Sequence, residues 1–208
     1  MTIAEGSALT AIGDYAFYGC TALTEIHYGG TVDRWLNQVT KDTNWDYNTG
    51  NYTVYCTDGF VTKAGQTAIL KFEEIDGSFT VTGVDTEITS NLILVIPSTY
   101  KGKPVTAIAN EAFMYCYALE SIEIPASVTS IGDYAFRSCA ALESIEISAS
   151  VTSIGEYAFF GCESLRSLNY GGTTDQWKDL EKGDWWDENT GNYSIVCDNG
   201  TLLKGMYD

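Results

Sequence analysis

The sequence has a single histidine, His27, and only 11 lysines and arginines against 28 aspartates and glutamates. The first shortage limits catalysis. Any mechanism that pairs a serine or cysteine with histidine must use His27, and no G-x-S-x-G nucleophile elbow accompanies it. The second limits partners: a formal charge of −17 repels phosphate backbones and anionic lipid over a Debye length of about 8 Å, so nucleic acid is not an expected partner. Long apolar runs are missing as well. No stretch approaches the roughly 20 residues a bilayer-spanning helix needs, and MTIAEGSALT has neither the basic start nor the apolar core of an export signal. No CxxC or Cys/His spacing points to zinc, and no cofactor is expected. The 45% hydrophobic content is that of a chain that folds.

What the chain does contain is a repeat. The block I-G-x-x-A-F-x-x-C-x-x-L occurs four times, with Ala109 in place of the glycine in one copy, and its last three copies start 23 residues apart, at Ile108, Ile131 and Ile154. A fixed short period means that each unit buries its apolar face on its neighbours, which is the logic of a solenoid. Four of the six cysteines, Cys20, Cys116, Cys139 and Cys162, hold one position in the block. They read as free thiols packed in the interior rather than as disulfide partners. Cys56 and Cys197 are equivalent to each other near the ends of two duplicated segments and read as strand residues.

The unit LESIEIPASVTSIGDYAFRSCAA, from Leu119 to Ala141, shows how one repeat is built. Ile122 and Ile124 alternate with Ser121 and Glu123, which predicts a half-buried strand with the isoleucines inward. Pro125 ends the strand by withholding an N–H. Val128 and Ile131 add apolar contacts on the return path. Ala135, Phe136 and Cys139 predict a short helix or 3₁₀ turn over residues 132–139, with Asp133 capping its first turn. Leu94 and Ile96 align with Ile122 and Ile124, and Leu165, Leu168 and Tyr170 form the last matching strand before Gly171-Gly172.

A longer duplication lies over this one. IGDYAFYGCTALTEIHYGGTVDRW from Ile12 resembles IGEYAFFGCESLRSLNYGGTTDQW from Ile154, and the likeness continues into DYNTGNYTVYC and DENTGNYSIVC. Trp35 and Trp177, with Trp45, Trp185 and Trp186, are expected to cover solenoid ends. The competing reading is a sugar-stacking platform. Between the two lies an alternating segment around Asp76-Gly77, which predicts a β-hairpin that opens the second array. The resulting expectation is an array end with its tail over 1–59, an opening cap over 60–91, an array over 92–170 and a second tail over 171–208. Because residues 7 to 28 already read as repeat interior, the Met is expected to open an excised piece, with any signal or anchor encoded beyond it.

The combination ES-I-x-IP-x-SVTSIG-x-x-AF-x-x-C-x-x-L resembles the BspA-like class of bacterial leucine-rich repeats, over most of residues 7–28 and 92–170. The Y-G-G-T-x-x-Q/R-W tail and the opening LVIPSTYKGKPVTAI are similar to segments of that family. The resemblance implies an α/β leucine-rich repeat solenoid, with a parallel β-sheet on one face and short helical turns on the other. It also implies a non-enzymatic, surface or secreted module that binds other proteins, often host matrix components or other cells. It brings no catalytic residues.

Single residues with chemical potential have plainer readings. His27 falls on an outward strand position equivalent to Glu123, Glu146 and Asn169. Glu123 and Glu146 on adjacent strands would lie roughly 5 Å apart, near the carboxyl spacing of retaining glycosidases. An open ladder, however, lacks the walls that raise an acid's pKa. A calcium ion bridging the pair is a minor alternative. The segment from Asp187 to Asn192 places its glycine wrongly for an EF-hand and reads as a turn. The leading expectation is a protein-recognition surface made of Ser121, Glu123, Ser144, Glu146, Arg166, Ser167 and Asn169, suited to a basic partner surface. A carbohydrate-binding module using the tail tryptophans and a structural spacer are the other expectations.

Overall fold

The computed structural model describes residues 1–3, 9–62 and 67–205. The first two positions of the opening repeat, 7 and 8, the segment 63–66 of the expected opening cap, and the tail residues 206–208 lie outside the described residues. The chain divides into two compact units, Met1–Ile69 with Asp85–Glu87, and Leu70–Val84 with Ile88–Asp208.

The second unit is a β-solenoid. Its main sheet is parallel, with strands Leu92–Val95, Leu119–Ile124, Ser144–Ile147, Ser167–Tyr170 and Ser194–Cys197 in that order, and the antiparallel strand Gly200–Leu203 follows at the edge. The register is in step with the repeat. Leu94, Ile122, Ile145, Leu168 and Ile195 form one continuous row, and all are buried. Alternation at period two sends these side chains inward, where burying a Leu or Ile contributes about 1.5–3 kcal/mol.

A second, narrower parallel sheet runs along the return path through Lys103–Ile108, Ser130–Ile131, Ser153–Ile154 and Glu181–Lys182. The hairpin predicted around Asp76-Gly77 forms from Thr67–Ile75 and Ser78–Thr86, with φ of 48° and 82° at the two turn residues. Positive φ at both central positions is the primed turn that matches strand twist. Its returning strand pairs in parallel with the second sheet, Phe79 opposite Val105 and Val81 opposite Ile108.

On the third side of each coil the structure takes the turn rather than the helix, of the two forms expected. Residues 132–139 keep hydrogen bonds of 3₁₀ type, from Arg137 N–H to the Tyr134 carbonyl and from Cys139 N–H to the Phe136 carbonyl, but they form no continuous helix. Tyr134 and Ser138 sit at φ 57° and 58°, in the left-handed region, which interrupts right-handed winding. The freed N–H groups of Tyr134, Phe136 and Ser138 instead donate to the carbonyls of Glu156, Ala158 and Phe160 one coil on, at 2.9, 2.8 and 2.7 Å. Asp133 also differs from its expected role: its carboxylate accepts from the Glu156 N–H at 2.8 Å in the next coil, as the Asn110 side chain accepts from the Asp133 N–H at 2.9 Å. Stacking supplies a partner at every second residue, so hydrogen bonding between coils replaces bonding along a helix.

The inward phenylalanines match the expectation, and so do Cys139 and Cys162, which are buried; Cys116 is only half-buried and Cys20 is exposed, so the expected interior thiol position holds for two of the four cysteines. Phe113, Phe136 and Phe159 stack with centroids 5.2 and 5.1 Å apart and planes within 8°. Beside them the thiol of Cys139 donates to the Phe113 carbonyl and that of Cys162 to the Phe136 carbonyl, both at 3.1 Å. All six cysteines are free.

Regular spacing ends at Tyr170, but the winding continues. Helix Thr174–Asp179 replaces the usual turn, started by a capping box between Thr173 and Gln176. The chain then re-enters the second sheet at Glu181–Lys182 and the main sheet at Ser194–Cys197. Trp177 is fully buried, edge-on to Tyr170 and Trp186 at 5.2 and 5.8 Å. The ε-amino group of Lys182 donates to the helix-terminal carbonyls of Trp177 and Leu180 at 2.8 and 2.7 Å, where cationic charge is favoured.

The first unit repeats this plan on a smaller scale. Strands Thr2–Ile3, Glu25–Tyr28 and Thr53–Cys56 are parallel, Gly59–Thr62 returns antiparallel, and Ala11–Ile12 pairs with Thr40–Lys41. Helix Val32–Asn37 carries Trp35 into a core with Ile26, Tyr28, Tyr52 and Val54.

Candidate functional site

Six of the seven expected surface residues, all but Arg166, fall on the outward side of the main sheet of the second unit. Ser121, Ser144 and Ser167 are register partners in one row, and Glu123, Glu146 and Asn169 are partners in the next. Inward isoleucines hold these strands on the core, so the outward side chains project from a rigid support. Arg166 is exposed just before the last of these strands, in line with Glu143 and Glu120, and its N–H donates to the Glu143 carbonyl at 2.9 Å. Ser167 donates to the Asn169 side-chain oxygen at 3.0 Å.

Both rows are longer than the sequence reading made them. Ile93 and Ser194 extend the serine row, while Val95 and Val196 extend the Glu-Glu-Asn row. Ile93, Val95 and Val196 are exposed apolar side chains. The surface is thus carboxylate and hydroxyl at its centre and apolar at both ends. The alternation in Leu92–Val95 was readable as a strand, but an aliphatic residue at an outward position carries no chemical signal until the register shows which way it points. A groove of about 530 Å³ lies along one end of the strands, lined by Glu123, Glu146, Asn169, Tyr170 and Val196 among others.

The electrostatics of this face are acidic and open, since Glu123 and Glu146 are both exposed. His27, in the first unit, is also exposed. It lies 3.1 Å from the Glu25 carboxylate, with its ring 5.3 Å from Tyr55. The thiols of Cys139 and Cys56 are held protonated. The hydrogen bond with Cys162, together with burial, pushes Cys139 well up, and burial, with Asp58 nearby, pushes Cys56 up to about 12. A thiol so shifted is a poor nucleophile. Among the described residues no group of three or more His, Cys, Asp or Glu is arranged to hold a metal ion, and no helix is long and apolar enough to cross a membrane.

The tryptophans separate the two roles weighed for them. Trp35, Trp177 and Trp186 are buried, which removes them from any sugar platform and makes them core residues of the tails. Trp185 is exposed, but its ring is stacked on Tyr157 at 5.2 Å.

Stacked 23-residue coils, an inward Ile, Leu, Phe and Cys ladder and a parallel sheet define a leucine-rich repeat solenoid. The BspA type leucine rich repeat region family matches this chain in six copies, over residues 2–45 and 101–179, and the chain belongs to that family. The solved structures to which the chain is similar include two from Bacteroides. A leucine-rich repeat protein from Bacteroides capillosus is 25% identical with a TM-score of 0.51, over 70% of this chain and 98% of that one. A leucine-rich repeat protein from Bacteroides ovatus is 26% identical with a TM-score of 0.45, over 63% of this chain but 36% of that one, so the match spans about a third of that relative's length. No curated protein matches the chain.

Proposed function

We propose that this chain is a non-enzymatic protein-binding module of a bacterial cell-surface or secreted protein, and that the outward face of the main sheet is its recognition surface. The observation that carries this reading is the pair of straight rows, Ser121, Ser144, Ser167 and Glu123, Glu146, Asn169, held in register on a fully packed core. Such a face binds with little loss of conformational freedom, because its strands are already ordered. Its carboxylates favour a basic patch on the partner through faster encounter and charge matching, with Arg166 as the basic interruption. The apolar ends supplied by Ile93, Val95 and Val196 give the desolvated contacts that a carboxylate centre lacks.

The test is binding of the full chain to a panel of immobilised extracellular matrix and cell-surface proteins. For a partner so found, the paired change Glu123→Lys and Glu146→Lys should weaken binding by about tenfold or more, since each reversal replaces attraction with repulsion. Both side chains are exposed, so the thermal midpoint should stay close to that of the parent. Unchanged affinity would place the recognition surface elsewhere.

A further inference from the structure

We propose that Tyr15, Tyr18 and Tyr47, together with Asn44, form a binding site for a neutral oligosaccharide on the turn side of the first unit. This site is separate from the sheet face and does not depend on the reading given to it. The three tyrosines are 55%, 56% and 59% exposed, yet they are not scattered. Tyr15 meets Tyr18 edge-on with centroids 5.6 Å apart, and Tyr18 stacks on Tyr47 at 5.9 Å with planes within 9°. With Asn44 they line a concavity of about 510 Å³.

The rings stand on turns whose left-handed positions recur through the repeat, as at Tyr134 and Tyr157. Tyr15 lies at φ 56° and Asn48, just after Tyr47, at φ 59°. The Gly19 N–H donates to the Tyr47 carbonyl at 3.1 Å, which joins the turn carrying Tyr18 to the turn carrying Tyr47. The apolar interior beneath is closed separately by Phe17 against Trp45 at 5.7 Å. The exposed rings are therefore not what fills the core.

The duplication supplies an independent observation. At the positions of Tyr15 and Tyr18 the second unit has Tyr157 and Phe160, again edge-on at 5.6 Å. The position of Tyr47 is Glu188, which removes the third ring, but the position of Asn44 is Trp185, which stacks on Tyr157 at 5.2 Å. Both units thus keep a three-ring cluster in their final turns, while the position that supplies the third ring changes. Core packing does not require this, because Phe159 and Trp186 close the interior there as Phe17 and Trp45 do in the first unit.

The chemistry of the lining selects the ligand class. Every polar group in it is neutral, three phenol hydroxyls and one carboxamide, and together these donate and accept hydrogen bonds as sugar hydroxyls require. Aromatic faces carry the negative side of the ring quadrupole and attract the weakly positive C–H face of a pyranose. A neutral ligand also approaches a chain of charge −17 without electrostatic penalty, whereas an anionic glycan is repelled. Contact between the rings leaves no gap for a cation enclosed between two faces, so a quaternary ammonium is not the favoured occupant.

Titration of the full chain with cellohexaose, maltohexaose and hexa-N-acetylchitohexaose, all neutral, read by aromatic proton–carbon NMR, tests this. At least one of these sugars should give saturable shifts at Tyr15, Tyr18 and Tyr47. Tyr18→Ala and Tyr47→Ala should each weaken binding by about tenfold, and raising salt to about 0.5 M should leave it unchanged. Tyr47→Phe, which keeps the ring, should retain most of the affinity, and matching melting curves will show that the variants remain folded. Absence of saturable shifts with all three sugars overturns the proposal. So does a response to choline in place of the sugars, or sugar binding that survives both alanine changes.

Discussion

Gly155→Ala is a substitution for which general expectation and this structure give opposite signs. Gly155 does not have a positive φ, and at such a position alanine usually stabilises by about 0.4–1 kcal/mol through the unfolded chain. Here an added Cβ would lie 2.4 Å from the Asp133 backbone nitrogen, 2.4 Å from the Asp133 side-chain oxygen and 2.6 Å from the Gly132 carbonyl carbon. These atoms belong to the adjacent coil, and two of the three are main chain, so relief requires the coils to separate. The bonds at risk are Gly155 N–H to the Ile131 carbonyl at 2.9 Å and Glu156 N–H to the Asp133 carboxylate at 2.8 Å. Overpacking of about 1–3 kcal/mol and roughly 1 kcal/mol for each weakened bond outweigh the entropic gain, for a net loss of about 2–4 kcal/mol. Urea unfolding followed by the fluorescence of Trp177, Trp185 and Trp186 should show a midpoint lower by about 1 M or more, given slopes of about 1–3 kcal/mol per M. Gly171→Ala is the control: its Cβ would meet nothing nearer than 3.6 Å, so its midpoint should hold or rise slightly. A Gly155→Ala protein as stable as the parent would refute the claim that this glycine sets the approach of neighbouring coils.

Three further outcomes follow from the same geometry. Asp133→Ala should cost about 1–2 kcal/mol by leaving the Glu156 N–H without its acceptor, whereas Asp133→Asn should be nearly neutral, because Asn110 already does this work one coil earlier; thermal melts of the two variants should separate clearly. Trp177→Ala should destabilise by about 3–5 kcal/mol as a fully buried side chain, while the exposed Trp185→Ala should stay within about 0.5 kcal/mol, and equal losses would contradict the burial assigned to each. Cys56 has its thiol raised from 9.0 to about 12 by burial and Asp58, so between those pH values the unfolded state releases a proton that the folded state keeps. Its contribution is full below about pH 9 and is lost as pH rises toward 12, at about 1.4 kcal/mol per unit. Urea midpoints should therefore fall from pH 8 to about 10.5, less steeply in Cys56→Ala, and a pH-independent midpoint in the parent would contradict the shift.

Much of the fold was legible because each repeat states it again. Ile122 and Ile124, alternating with Ser121 and Glu123, gave the strand and its inward face, and the shared repeat position gave buried thiols at Cys139 and Cys162 but not at half-buried Cys116 or exposed Cys20. The turn over 132–139 was less legible. The spacing of Ala135, Phe136 and Cys139 suits a helix and suits a turn that points the same residues inward. The choice between them rests on left-handed Tyr134 and Ser138 and on carbonyls one coil away, which no local pattern contains. The surface was partly legible: polar outward positions such as Glu146 declared themselves, whereas Val95 and Val196 became surface residues only through their register.

By itself, then, the sequence determined the period, the inward ladder and the acidic charge, because these depend on which residues recur and how often. Tertiary structure decided how close the coils come, which hydrogen bonds the turns make and which aromatic rings gather on the surface. Those depend on contacts between residues that one coil or more of chain separates, and spacing along the sequence does not encode the distance across the stack.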